Sequence, residues 1–221
     1  MTPISKQILR DGHRCRPKGH YSKYTITIHS TGNLNSTAQN ERAWLDNPSN
    51  NRQASWHYVI DDKTIIQAIP EEEEAWHAGV SYGNKHSIGV EICESGDRRA
   101  VLENAAEFIA LKLKGLEWGV ENLKKHYDWT GKNCPRILID KAFVKNGLDW
   151  NWFISRVKYY LNGEDEDMAQ RYNTLTEVPE WGKATVQKLI DKGCFADKNK
   201  LNLTEDMLRG FVVNDRAGVY K

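Results

Sequence analysis

The chain has 221 residues, 39% hydrophobic and 28% charged, with a formal net charge of +1. These values fit a globular domain of ordinary size plus a smaller piece, and they exclude a broad basic field for nucleic acid. No run of 18 apolar residues is present to cross a membrane, and the opening MTPISKQILRDGHRC lacks the apolar core of a signal peptide.

YTITIH (24–29) is β-branched and alternating, which predicts a strand. STAQNERAWLD (36–46) opens with Ser36 and places Gln39 three residues on, so a helix is predicted with Ser36 at the head of a capping box. SWHYVI (55–60) and TIIQAI (64–69) flank a short Asp-Asp-Lys turn and read as a hairpin, and SIGVEIC (87–93) as a further strand. Leu102, Ala106, Ile109, Leu113 and Leu116 recur at helical spacing over about 100–117. A third helix over about 149–161 sets Trp150, Ile154, Val157 and Leu161 on one face. Strands mixed with helices predict an α/β fold, a central mixed β-sheet flanked by helices.

One break in composition follows. NGEDEDM (162–168) reads as an acidic linker at 163–167, dividing a domain at 1–162 from a small helical C-terminal module at 168–221. In the module, Pro179 begins a helix that Gly193 ends, with Trp181, Val186, Leu189 and Ile190 as its apolar residues. A second helix is capped by Thr204 and stapled by Leu203 and Leu208. So short a piece has a marginal core and is expected to dock on a partner, on itself or on the first domain. Its nine Lys/Arg against seven Asp/Glu are a weak footprint for DNA.

The four cysteines are far apart and show no C-x-x-C spacing, which argues against a disulfide scaffold and leaves room for one metal thiolate. HYDWTGKNCP (126–135) sets one His and one Cys on a short polar loop. A metal is one explanation, but two protein ligands are too few and a third must come from elsewhere. Alternation puts Ile26 and Ile28 on the core face of the first strand and His29 on the opposite face. The same rule separates Ile88, Val90 and Ile92 from Ser87, Gly89, Glu91 and Cys93. If both strands share one sheet, His29 and Glu91 share its polar face. Taken singly, a strand-end His, a polar-face Glu and an isolated Cys are ordinary surface or packing residues.

TIHST (27–31), SWHYVID (55–61), WHAG (76–79), NKHSIGVEIC (84–93) and HYDWTGKNCP, in that order, resemble the zinc-dependent N-acetylmuramoyl-L-alanine amidases of phage lysins and bacterial autolysins. That fold is shared with peptidoglycan-recognition proteins, and the similarity covers roughly residues 1–161. It implies that His29, His126 and Cys134 bind zinc, that Glu91 is the catalytic glutamate and that Lys132 lies beside the metal. It also implies that Trp76 and His77 line the substrate groove. Relatives with a shorter catalytic domain carry Tyr at the position of Trp56 and no acid at Glu91, which leaves the division of catalysis between Glu91 and Lys132 open.

The implied reaction is hydrolysis of the amide between N-acetylmuramic acid and L-alanine by zinc-activated water. The implied partner is bacterial peptidoglycan, without nucleic acid or membrane insertion, and the setting is a phage or prophage endolysin made in the host cytoplasm and acting on the wall after release. Residues 168–221 then read as wall-binding or oligomerising. A non-catalytic peptidoglycan-binding module on the same fold is the alternative, and Cys134 and Glu91 argue against it because binding needs neither. Pro135 favours an extended Cys134, which would project Cys134 and Lys132 to one side. His57, between Trp56 and Tyr58, reads as structural.

Overall fold

The structure, a computed structural model, describes residues 2–162 and 171–220. The predicted linker at 163–167 lies outside the described residues. The chain forms two compact units, Met1–Glu164 and Asp165–Lys221.

The first unit is built on a six-stranded sheet. Its strands are β1 (Ile4–Lys6), β2 (Thr25–Ser30), β3 (Tyr58–Ile60), β4 (Ile65–Gln67), β5 (Ser87–Ile92) and β6 (Leu123–Lys125), in the spatial order β1-β4-β3-β5-β2-β6. Only the β3–β4 hairpin is antiparallel, so the sheet is mixed as expected. Asp61 secures that hairpin: its Oδ1 accepts from the Lys63 and Thr64 amides, both at 2.8 Å. Its Oδ2 accepts from the Ala38 amide at 2.9 Å, at the start of helix α1 (Ala38–Asp46).

The α1 start differs by one residue from the prediction. Thr37 is the N-cap and accepts from the Asn40 amide, because Asn40 rather than Gln39 occupies the third helical position. Strands β1 and β6 were not visible in the sequence. Each has three residues and no apolar alternation, and each forms because a neighbouring strand supplies its ladder. Helix α2 (Ser81–His86) was missed too, since it holds Gly and Asn and has no side-chain cap.

Helix α3 (Arg98–Leu116) opens on an Asp97 N-cap, and after the single turns α4 (Tyr127–Thr130) and α5 (Arg136–Ile139), α6 (Trp150–Asn162) packs beside it. Together they cover one sheet face, burying Ile26, Ile28, Ile88, Val90 and Ile92 against Val101, Leu102, Phe108, Phe153 and Val157. One expectation for these helices needs correction and one holds. Leu116 is exposed, because the helix ends there, whereas Trp150, Ile154 and Leu161 of α6 pack partly buried against this core beside the fully buried Phe153 and Val157. On the other face, α1 covers a second core made by Leu45, Trp56, Val59, Ile66 and Cys93. The strands β3 and β4 are therefore apolar on both sides, while β2 and the end of β5 are not.

The second unit packs α7 (Glu180–Asp191) against α8 (Glu205–Arg216) around Val186, Leu203 and Leu208. Thr204 caps α8 through the Met207 amide. Lys188 and Thr185 of α7 both bind Asp215 of α8, at 2.7 and 2.9 Å. Of the apolar residues expected on α7, Val186 and Leu189 are buried and Trp181 is 44% exposed.

Candidate metal centre and active site

The site is assembled from strand ends. Parallel pairing of β2 with β5 sets Thr27 beside Gly89 and His29 beside Glu91 on the face away from α3. On the far side of β2, β6 runs into His126, whose amide donates to the Ile28 carbonyl at 3.2 Å. Adjacent strands thus set the two histidines side by side.

The segment after His126 is not a plain loop. Tyr127–Thr130 forms a single helical turn, α4, which Gly131 closes in the left-handed conformation at φ 73°. The Cys134 carbonyl then accepts from the Tyr127 amide at 2.9 Å, folding the cysteine back beside its own histidine. The Cys134 amide in turn donates to the Lys132 carbonyl at 2.7 Å. That tight turn replaces the extended stretch expected ahead of Pro135, so the placement of Lys132 comes from the turn and not from strand-like alternation.

The ligand-type atoms of His29, His126 and Cys134 all lie within 4.8 Å of one another, and all three residues are buried. His29 Nδ1 is 3.0 Å from His126 Nδ1 and 3.8 Å from Cys134 Sγ. Two imidazole nitrogens and one sulfur converging at that spacing suit a metal ion. They open on a cavity of about 840 Å³, whose lining also includes Glu91, Lys132, Glu41, Trp44, Trp56 and Trp76.

Electrostatics follow burial. It holds His29 well below its ordinary value, His77 at about 3 and His126 at about 4, so the imidazoles are neutral and able to act as ligands. Burial, reinforced by the Coulombic field of Glu41, raises Glu91 to about 8, and Lys132 opposes it. Glu91 Oε2 has no hydrogen-bond partner among the described residues. Burial also pushes the Cys134 thiol up to about 12, with Glu91 adding to it. An unactivated thiol of that kind is no nucleophile, and a cation beside it would stabilise the thiolate.

His77 is 7% exposed and turned inward, with Nδ1 3.0 Å from His29 Nε2. Trp76 and His77 both lie in the cavity wall. His57 is fully buried: Nδ1 accepts from the Gly89 amide at 2.8 Å and Nε2 meets the Glu73 carbonyl at 3.0 Å. Two features escaped the sequence reading. Glu41 and Trp44, three apart on α1, share the helix face over the cavity, a spacing that was there to be read. Glu94 has a fully buried side chain and takes a two-pronged ion pair from Arg136, 2.7 Å at its shortest, along with the Gly32 amide at 3.0 Å. Burial alone would raise Glu94, but Arg136 and its other donors outweigh it and hold the carboxyl below its ordinary value. Nothing in the spacing of Glu94 and Arg136 announces that contact.

Comparison with known proteins gives one consistent result. The profile of the family described as N-acetylmuramoyl-L-alanine amidase matches residues 22–137. The chain is 43% identical over 159 residues to N-acetylmuramoyl-L-alanine amidase CwlA of Bacillus subtilis (strain 168), a match covering 68% of this chain and 57% of CwlA. It is 33% identical over 219 residues to XlyB of the same organism, covering 91% of this chain and 67% of XlyB, so that match extends into the second unit. Among solved structures, the catalytic domain of XlyA superposes with a TM-score of 0.63 at 32% identity, covering 71% of this chain and 99% of that domain. PlyL follows at 0.61 and 31%, covering 71% of this chain and 97% of its own.

Proposed function

The chain belongs to the N-acetylmuramoyl-L-alanine amidase family, and from that premise we propose that it hydrolyses the amide joining N-acetylmuramic acid to L-alanine in peptidoglycan, with zinc held by His29, His126 and Cys134. The observation that carries the reading is the convergence of those three ligand atoms within 4.8 Å on the floor of a cavity that also holds Glu91 and Lys132. Bound there, zinc would supply a Lewis acid that polarises the scissile carbonyl and acidifies water.

The chain's own groups do the rest. Glu91 takes a proton from the attacking water and returns it to the leaving nitrogen, so that a carboxylate and a free amine result. In the metal-free protein Glu91 keeps its own proton to about pH 8, and positive charge at the ligand set shifts it toward the carboxylate that this role needs. Lys132 sets its ammonium at the same cavity and stabilises the oxyanion that develops on the scissile carbonyl. Trp44, Trp56 and Trp76 offer flat apolar walls to the glycopeptide.

The domain reading is a zinc amidase at 1–162, an acidic linker at 163–167 and an accessory module at 168–221 that binds the wall or self-associates. An endolysin of a phage or prophage is the setting that fits. No helix among the described residues is long and apolar enough to cross a membrane.

Purified protein should contain about one zinc per chain. Chelation should abolish wall lysis and zinc restore it, while Cys134→Ser loses metal and activity together. Mass spectrometry of fragments released from walls should find free L-alanine amines. Full activity in metal-free protein, or fragments cut at another bond, would sink the reading. A chain ending near Gly163 should cleave soluble muropeptides at near-normal rate but act much more slowly on intact cells, because tethering raises local substrate concentration. Unchanged lysis, wall binding and sedimentation mass after that truncation would remove both roles of the module.

A further inference from the structure

His29 uses Nδ1 to face His126 and Cys134, which leaves Nε2 to be accounted for. Nε2 lies 3.0 Å from His77 Nδ1, and His77 Nε2 lies 3.2 Å from the Ser87 carbonyl oxygen. A carbonyl oxygen only accepts, so His77 Nε2 must carry the hydrogen. A neutral His77 then has its lone pair on Nδ1. That lone pair requires the hydrogen of His29 on Nε2, and His29 Nδ1 is left bare toward the ligand cluster. One backbone carbonyl thereby dictates the state of an atom two imidazoles away.

We propose that His77 is a positioning residue: relayed from the Ser87 carbonyl, it fixes the tautomer and ring orientation of His29 and so presents Nδ1 to a metal shared with His126 and Cys134. The inference rests on the metal reading above and adds to it a residue expected from resemblance to contact substrate. Both ring nitrogens of His77 are already engaged inside the protein.

The relay has a built seat. Gly89, on β5, lies directly beneath the His77 ring: a Cβ there would come 2.6 Å from His77 Cγ and 2.7 Å from Cδ2. The absent side chain is what lets the imidazole lie on the strand. Asn84 Oδ1 accepts from the His77 amide at 3.0 Å and the Ala78 amide at 2.8 Å, fixing the backbone that carries the ring. His57 stands edge-on to His77, with centroids 5.8 Å apart, and holds the Gly89 amide. In the metal-free protein the 3.0 Å contact between the two Nδ1 atoms of His29 and His126 then needs the hydrogen on His126, the partner whose proton metal binding displaces.

Nitrogen NMR of the imidazoles in metal-free protein reads the relay directly. The expected pattern is Nε2–H for His77 and His29 and Nδ1–H for His126. His77→Phe keeps the ring volume and removes the acceptor; zinc affinity should fall about 10–100-fold, the usual effect of losing a ligand's hydrogen-bond partner, and His29 should populate both tautomers. His77→Asn places an oxygen near the Nδ1 position and should recover most of the affinity. Gly89→Ala touches no ligand but displaces the His77 ring, and should weaken zinc as His77→Phe does. Nδ1–H on His29 in the metal-free wild type overturns the proposal, as does a folded His77→Phe with wild-type zinc affinity. Should His77→Phe fail to fold, the wild-type tautomers still decide. Should the wild type bind no zinc, the metal reading falls, and the tautomer of His29 judges the relay separately.

Discussion

On one side of β2 and β5 stand Ile26, Ile28, Ile88, Val90 and Ile92; on the other stand Thr27, His29, Ser87, Gly89 and Glu91. The first set is dry and apolar, and each side chain contributes roughly 1.5–3 kcal/mol by leaving water. The second set carries a buried imidazole and a carboxyl with an orphaned oxygen, groups that cost stability and persist only because the first set supplies it. Alternation along a strand makes this division possible within a dozen residues. Stability and reactivity are therefore separable by choosing the parity of the position.

The strongest test of that separation is Glu91→Gln. It should keep zinc and fold while the turnover of soluble muropeptide drops on the order of 10²–10⁴, equivalent to about 3–5 kcal/mol in the barrier. Normal turnover in Glu91→Gln together with a slow Lys132→Ala would move the chemistry to the lysine. The apolar face is tested by Phe108→Ala on α3, whose side chain is 2% exposed against Tyr58 at a centroid distance of 4.7 Å. A cavity there should cost about 3–5 kcal/mol in urea unfolding and leave turnover per folded molecule unchanged. A large fall in turnover at full folding would show that the two faces are mechanically coupled.

What the sequence disclosed follows the same line. Long alternating strands, the helical stripes and the shared face of His29 and Glu91 were legible because each is a local pattern with a fixed period. The ordered motifs then named the proposed ligand set, which no periodicity could have closed, since Cys134 reaches His29 only through the turn that binds Tyr127 to Cys134. Strands β1 and β6 were illegible because their pairing partners, not their residues, make them strands. For His77, the motifs suggest a place at the cavity but cannot give the direction of its ring. Its ring direction depends on the space above Gly89 and on the Ser87 carbonyl, contacts made across ten residues or more in three dimensions.

The smallest effect expected is also the most specific to the polar face. In metal-free protein Glu91 ionises near 4.5 when unfolded and near about 8 when folded, with burial as the main cause and Glu41 next. Between those values the folded chain holds the extra proton, so this group's contribution to stability falls as pH rises from about 4.5 to about 8. The buried imidazoles slope the other way. Burial lowers His29, His57, His77 and His126, so the unfolded chain binds protons first and their contribution is complete above about 6.5 and lost as the solution is acidified. Wild type alone therefore shows a mixture. The difference between metal-free wild type and Glu91→Gln cancels the histidines and isolates the carboxyl. The variant should match wild type near pH 4 and gain progressively to about 1–2 kcal/mol at pH 8, less than the full linkage value because the carboxyl borders an open cavity and the new amide is itself unpaired. The same substitution that removes turnover should thus make the protein harder to unfold. A difference that stays flat across this range, or that favours wild type at pH 8, would mean that Glu91 is already ionised in the fold and that the polar face carries less stored cost than its burial implies.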